Sequence, residues 1–373
     1  MKIYKEQNVY EATQERLKFI FNEFEYIYVS FSGGKDSGLL LNLVIDFMRE
    51  NNYNKKIGLF HSDVECQYTH TTSYVERTFN NFIEIVEPFW FCNEILRKND
   101  YSNISPYWVC WERELKDKWV RELPNYDYVI TNENAKLKNF SYIKHKMQYR
   151  DNFKKFSEHY ANLKNSNKVV CLVGLRSDES LQRYSAVSRN AGYKDKEWVT
   201  KNKNSYTAYP IYDWRVSDLW RCNYEFNYDY NKTYDYFTNL GVLPEKQRIG
   251  APFNLKSKKE IDLFKKIDPK IWDKFLDRVV GINSNSLDAE SVIKNKKNEK
   301  EYALFLLKTI GKSASTIYLN KIDFSVNDKD YWKNVVKSII NCDFKLGYVK
   351  RFQEKQINEN QKKAKKDTIN KWI

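Results

Sequence analysis

Apolar positions along the chain follow two spacings. Between Glu11 and Phe24, residues Leu17, Ile20, Phe21 and Phe24 recur three to four apart, which predicts a helix. The apolar run Tyr26-Ile27-Tyr28-Val29-Ser30-Phe31 follows and predicts a strand buried on both faces. Asp36 to Glu50 is helical again and strongly apolar; Lys56 to Ser62, Phe82 to Glu87 and Lys168 to Gly174 read as further strands. Strands alternating with helical segments predict an α/β fold, an open, mostly parallel sheet with helices on both faces. In such sheets ligands bind beyond the carboxyl ends of the strands. A polar and aromatic insertion, about 93–167, separates the third strand from the fourth and is long enough to contain helices of its own. From about Leu255 the pattern is mainly helical and basic, with Ile271 to Val280 the clearest helix.

The first strand and its helix are joined by Ser32-Gly33-Gly34-Lys35-Asp36-Ser37. Two glycines allow a tight turn that aims several N–H groups at an anion, and the helix adds its positive N-terminal end. A pyrophosphate site is the expectation. Lys35 can neutralise phosphate charge, Ser32 and Ser37 can donate hydroxyl hydrogen bonds, and Asp36 can hold a magnesium ion bridging the phosphates. The loop is not the G-x-x-x-x-G-K-[ST] type, because Val29 stands five residues before Gly34 and Asp36 follows Lys35.

Two more polar motifs fall on the same sheet edge. His61-Ser62-Asp63 closes the second strand and puts Asp63 where it could bind a ribose hydroxyl or a magnesium-bound water. His61, Asp63 and Glu65, with Cys66 and His70, could form a metal cluster, although their spacing matches no standard ligand pattern. After the fourth strand, Arg176, Asp178, Glu179 and Arg183 open a helix; Arg176 and Arg183 are candidates to grip phosphate or sulfate, with an exposed, self-compensating helix start as the alternative. Further on, Tyr209 to Trp220 holds Asp213 and Ser217 as candidate caps for a helix burying Leu219 and Trp220.

With 373 residues and 42% hydrophobic content the chain can bury a sizeable core. No run approaches the roughly 18 apolar residues a membrane span needs, and the opening residues lack the apolar core of a signal peptide, so a cytoplasmic protein without membrane partners is expected. Cys66, Cys92, Cys110, Cys171, Cys222 and Cys342 include no C-x-x-C pair, which indicates neither a disulfide scaffold nor a standard zinc site. The formal charge of +14 suits a polyanionic partner, and Lys350 to Ile373 concentrates it, with eight Lys or Arg against three acids. Nucleic-acid contact through that tail and a merely solvated helix are both compatible with such a run.

Together the motifs resemble the phosphoadenosine phosphosulfate (PAPS) reductase/sulfotransferase-like family of the PP-loop ATP pyrophosphatase superfamily. The resemblance lies in Ser32 to Ser37 as S-G-G-K-D-S, in Leu59 to Asp63, and in Trp108-Val109-Cys110 followed by Leu115-Lys116. It continues in Gly174 to Ser180 as G-x-R-x-x-E-S and in Pro210 to Trp214 with Asp218 and Trp220. The stretches Tyr234-Asp235-Tyr236, Gln247 to Phe253 and Arg278 to Asn283 are similar to a subfamily often paired with a ParB-like protein. The resemblance implies an adenine nucleotide α-hydrolase-like fold, with residues 1–254 as the nucleotide-binding domain and 255–373 as a basic, mainly helical region. It implies ATP or a related adenylyl nucleotide with Mg2+ as cofactors. Departures from the family pattern argue against sulfate reduction itself: the tail has only Asn341-Cys342-Asp343 where a reductase carries E-C-G-x-H, and Cys110 stands without the further cysteines that an iron–sulfur cluster needs.

The expected enzyme acts at the α-phosphate of ATP, releasing pyrophosphate and adenylating a nucleic acid or small acceptor. Lys35, Asp36 and Arg176 are the catalytic candidates. Ser32, Gly33, Gly34, Ser37, Asp63, Glu179 and Arg183 bind the nucleotide, Asp36 holds magnesium, and Cys110 is a candidate acceptor or sulfur carrier. The alternative is a nucleotide-sensing subunit that works with a ParB-like partner on DNA in gene regulation or phage defence.

Overall fold

The computed structural model describes residues 6–99, 107–188, 192–250, 260–279, 298–309, 312–340 and 345–370. Cys342 and the stretches 251–253 and 280–283 lie outside the described residues. The chain divides into two compact units: Met1–Arg97, Val109–Ala251 and Leu263–Ile271 form one, and Lys98–Trp108, Pro252–Asp262 and Trp272–Ile373 the other.

In chain order the first part runs α1 (Val9–Glu23), β1 (Tyr26–Ser30), α2 (Lys35–Glu50), β2 (Ile57–Ser62), α3 (Thr69–Phe82), β3 (Val86–Phe91), β4 (Ile95–Lys98), β5 (Tyr107–Cys110), β6 (Val129–Ile130) and β7 (Met147–Gln148). It continues with α4 (Tyr149–Leu163), β8 (Val169–Val173), α5 (Leu181–Ser188), β9 (Val199–Lys201), β10 (Tyr206–Ala208), α6 (Val216–Glu225), α7 (Thr233–Asn239), α8 (Glu260–Ile267) and α9 (Pro269–Arg278). A seven-stranded sheet has the order β6-β3-β2-β1-β8-β10-β9 and is parallel except for β9.

Register fixes the two faces. Tyr28, Phe60, Phe89, Phe91, Val169 and Cys171 share one face, which packs on Phe156 and Tyr160 of α4. On the opposite face Trp90 meets Phe79 of α3 at a 5.1 Å centroid distance. Burial on both faces explains why these strands read as continuous apolar runs rather than alternating ones. Chain order moves outward from β1 through β2 and β3 on one side and through β8 and β10 on the other. The crevice between the ends of β1 and β8 is therefore the topological switch point, where open α/β sheets bind ligands.

The expected third strand, Phe82 to Glu87, is displaced. Phe82 ends α3, and the strand runs Val86–Phe91. Pro88 is tolerated because β6 pairs only with Trp90 and Phe91, so at Pro88 the side of β3 away from β2 has no ladder. The insertion contains α4 as well as β6, which extends the main sheet.

The second unit is helical, with α10 (Glu299–Thr309), α11 (Lys312–Leu319), α12 (Lys329–Ile340) and α13 (Gly347–Asn370). It has its own core, including Tyr302, Leu306, Tyr318, Trp332, Val335 and Ile339. Asp328 caps α12 by accepting the Tyr331 N–H at 2.7 Å. No described helix is long and apolar enough to cross a membrane.

Candidate phosphate-loop site

The loop at the end of β1 is shaped by glycine and serine. Gly33 takes φ +75°, and a Cβ there would lie 2.9 Å from Val75 Cγ2, so both the backbone angle and the close approach of α3 require glycine. Gly34 precedes α2 with extended backbone and offers no side-chain cap of its own; the first N–H of the helix, that of Lys35, goes to Tyr234 Oη at 3.1 Å. Ser37 braces the turn from within: its hydroxyl donates to Gly34 O at 3.1 Å, accepts the Ser32 N–H at 3.1 Å, and lies 3.0 Å from Ser32 Oγ. Ser32 Oγ also accepts the Gly34 N–H at 3.3 Å.

Gly174 at the end of β8 brings the second motif onto this loop. A Cβ at Gly174 would sit 2.7 Å from Asp36 O and 2.8 Å from Ser37 N, so the end of β8 and the first turn of α2 touch backbone to backbone. Arg176, buried, then donates from Nε to Asp36 Oδ1 and from Nη1 to both Asp178 oxygens at 2.7 and 2.9 Å. The Tyr209 to Trp220 segment backs this turn: Tyr212 O accepts the Ser177 N–H at 2.8 Å, and Arg16 holds Asp213 through two bonds of 2.7 and 2.6 Å. Through that backbone bond and the 3.5 Å contact of Arg176 Nη1 with Trp214 O, the segment fixes where Arg176 can reach. As expected, α6 buries Leu219; its cap, however, is Asp218, which accepts the Arg215 N–H at 2.8 Å, and Trp220 is only half-buried.

Charge converges around Asp36. Its Oδ2 lies 3.3 Å from Lys35 Nζ, which is itself buried and donates to Gln247 O at 3.1 Å. Burial pushes the Lys35 ammonium below its ordinary pKa; Asp36 opposes this shift, and the nearby Arg176 and Arg248 guanidinium groups add to it. Burial also lowers the pKa of Arg183, which pairs with Glu179 and feels Asp36, Arg248 and Arg176. Lys35, Arg176, Arg183, Asp36 and Glu179 are thus brought to one crevice with the loop. Asp36 bridges two cations and retains lone pairs for a metal ion. One carboxylate plus phosphate oxygens is an ordinary magnesium donor set, so the residues present fit that ion.

Asp63 is engaged within the protein rather than at the loop. It is fully buried: Oδ2 accepts the Trp90 Nε1–H at 2.9 Å, and Oδ1 accepts the Glu65 N–H at 2.9 Å and pairs with Arg121. Burial opposes its charge, but Arg121, His61 and Trp90 together hold its carboxyl below the usual pKa. The strand stops at Ser62, so the neighbouring side chains diverge. His61 Nδ1 lies 2.8 Å from Phe31 O, and Glu65 accepts the Trp111 and Val120 N–H groups at 2.6 and 3.2 Å. Among the described residues no group of three or more His, Cys, Asp or Glu forms a metal cluster. Cys110 is completely buried at the end of β5.

The sequence motifs miss Asn231, Tyr234, Gln247 and Arg248, which come to the site from far along the chain. Asn231 Nδ2 donates to Gly33 O at 2.8 Å, Tyr234 Oη accepts the Lys35 N–H at 3.1 Å, and Arg248 Nη2 donates to Glu179 O at 3.0 Å. Their only signal is the subfamily resemblance around Tyr234 and Gln247, which carries no chemical assignment.

Residues 114–247 match the phosphoadenosine phosphosulfate reductase domain, in agreement with the resemblance read from the motifs. Residues 241–371 match the family described as "Domain of unknown function (DUF3440)". The chain is 28% identical to the "Uncharacterized protein YbdN" of Escherichia coli (strain K12), over 90% of this chain and 89% of that one. Among solved structures, a PAPS reductase from Candida auris is similar at 13% identity and a TM-score of 0.35, covering 67% of this chain and 96% of that one. An FMN adenylyltransferase from Candida glabrata is similar at 12% identity and a TM-score of 0.35, covering 63% of this chain and 64% of that one.

Proposed function

We propose that this protein is a PP-loop enzyme that binds ATP, or a related adenylyl nucleotide, and acts at the α-phosphate. The observation that carries the reading is the meeting of Arg176 with Asp36 across the switch-point crevice, beside the glycine-rich turn that starts α2. The loop would hold the β- and γ-phosphates, with Lys35 and Arg183 offsetting their charge. An acceptor atom attacks the α-phosphorus, the bond from that phosphorus to the bridging oxygen breaks, and pyrophosphate leaves. The adenylated acceptor keeps the AMP moiety. Arg176, held in advance by Asp36 and Asp178, would stabilise charge developing on the α-phosphate as the adenylyl group is transferred. Magnesium, when bound at Asp36, would supply further neutralisation of the phosphates. A nucleic acid or a small molecule would serve as acceptor.

The test incubates the purified protein with magnesium and ATP labelled at the α- or γ-phosphate, with and without DNA. Labelled AMP or an adenylated species together with pyrophosphate is the expected result. Intact ATP under every condition, with tight nucleotide binding, would overturn the enzymatic reading and favour a nucleotide sensor that controls a partner such as a ParB-like protein.

A further inference from the structure

The start of α7 brings to the loop a set of groups from outside the Ser32 to Ser37 motif. Asn231, fully buried, bonds both Gly33 O and, at 2.9 Å, Thr71 Oγ1, while its Oδ1 accepts the Thr233 N–H at 2.9 Å. This ties the helix start to the turn of the loop. Tyr234 is consequently buried over Lys35: its hydroxyl accepts the Lys35 N–H, and its ring centroid lies 5.3 Å from Lys35 Nζ. Trp220 packs edge-on against that ring at 5.5 Å and holds it in place. Among the described residues the hydroxyl's own proton has no acceptor. Burial raises the phenol's pKa, so the proton stays on the oxygen. Arg248, exposed and in no ion pair among the described residues, adds its positive field at both Lys35 and Arg183.

We infer that Tyr234 and Arg248 belong to the anion site: the Tyr234 hydroxyl donates to an oxygen of a diphosphate group seated in the loop, and Arg248 pairs with the same group from the solvent side. The inference rests on the phosphate-loop reading above. Because the hydroxyl already accepts the Lys35 N–H, the bond it donates to the anion is strengthened by polarisation along the chain of bonds. Arg248 brings a planar fork of donors that suits phosphate oxygens.

Calorimetric titration of the full chain with inorganic pyrophosphate tests this in wild type, Lys35→Ala, Tyr234→Phe, Arg248→Met and Arg248→Lys. Lys35→Ala should abolish binding. Tyr234→Phe keeps the ring and should weaken binding about 10-fold, the ordinary loss for a hydrogen bond to a charged group. Arg248→Met should weaken it by a similar factor, with partial recovery in Arg248→Lys. Arg248 is exposed, so that pair remains informative even if Tyr234→Phe disturbs folding. Wild-type affinity in both Tyr234→Phe and Arg248→Met, with binding lost in Lys35→Ala, would overturn the inference and leave the loop reading intact. Absence of pyrophosphate binding by the wild-type protein would overturn both.

Discussion

At the scale of single residues, two aspartates that look alike in the sequence have opposite situations. Asp36 sits between Lys35 and Arg176 with part of its side chain exposed. Replacing it by Asn should reduce pyrophosphate release at least about 100-fold, the scale expected when a major electrostatic group is removed from a phosphoryl site. Thermal unfolding should show that the variant remains folded, and retained turnover would refute the role of Asp36. Asp63, by contrast, has no exposure and balances Arg121. Asp63→Asn takes the paired carboxylate from the partly buried Arg121, which keeps its bond to Glu65 O, and a destabilisation of about 3 kcal/mol is expected in urea unfolding. The pyrophosphate affinity of the folded fraction should stay unchanged. The same residue makes stability depend on pH. Its folded pKa lies below the ordinary value of 3.8, so its contribution is complete above that pH and is lost as the pH falls through the lower folded value. Glu94 behaves alike relative to 4.5: burial opposes its charge, and bonds from Arg113 and His145 overcome that. The urea midpoint should therefore fall below about pH 4.5 through these two groups, and Asp63→Asn should remove the Asp63 part of the slope.

At the scale of elements, the critical contact is between the end of β8 and the start of α2. Gly174→Ala places a methyl group 2.7 Å from Asp36 O, and neither backbone can yield without moving the loop. A destabilisation of about 1–3 kcal/mol is expected, together with a loss of pyrophosphate affinity larger than that stability change explains. Calorimetry and denaturation on the same preparation would separate the two effects, and unaltered affinity would show that the loop adjusts freely. The elements that carry this contact are legible in the sequence because their signals are local: apolar runs for β1 and β8, two glycines for the turn, helical spacing for α2. Other parts are not. The three-residue strands β9 and β10 are too short to show a period, and the pattern misplaces β3 because Phe82, Ile83, Ile85 and Val86 run apolar through both a helix end and a strand start. Asp63 has the expected position at the strand end, but its partners Arg121 and Trp111 come from the insertion, whose packing no local pattern encodes. Tyr234 and Arg248 escape for the same reason, being tertiary neighbours of the loop without a motif of their own.

At the scale of the whole molecule, the residues gathered at the phosphate loop all lie in the first unit, and the helical second unit has a core of its own. The concentrated positive charge from Lys350 onward continues along α13, a helix whose residues from 351 to 359 are mostly exposed. Exposed cations gain little from isolated ion pairs such as Lys355 with Glu359, so most of their charge is available to a polyanion. If a nucleic acid is the acceptor, its phosphates should meet this helix and release counterions, which makes affinity fall linearly in log–log form with salt. Replacing the exposed Lys350, Arg351 and Lys355 together by Gln should reduce the magnitude of that slope by up to about 2.7, at about 0.9 per duplex phosphate contact. The measurement is fluorescence anisotropy with a labelled duplex at several salt concentrations, alongside pyrophosphate titration of the same variant. Pyrophosphate affinity should be unchanged, because the groups at the loop all belong to the first unit. A wild-type protein that binds no duplex even at low salt would remove double-stranded DNA as the acceptor and direct the search to small molecules; a full slope in the variant would place the DNA contact on other basic residues.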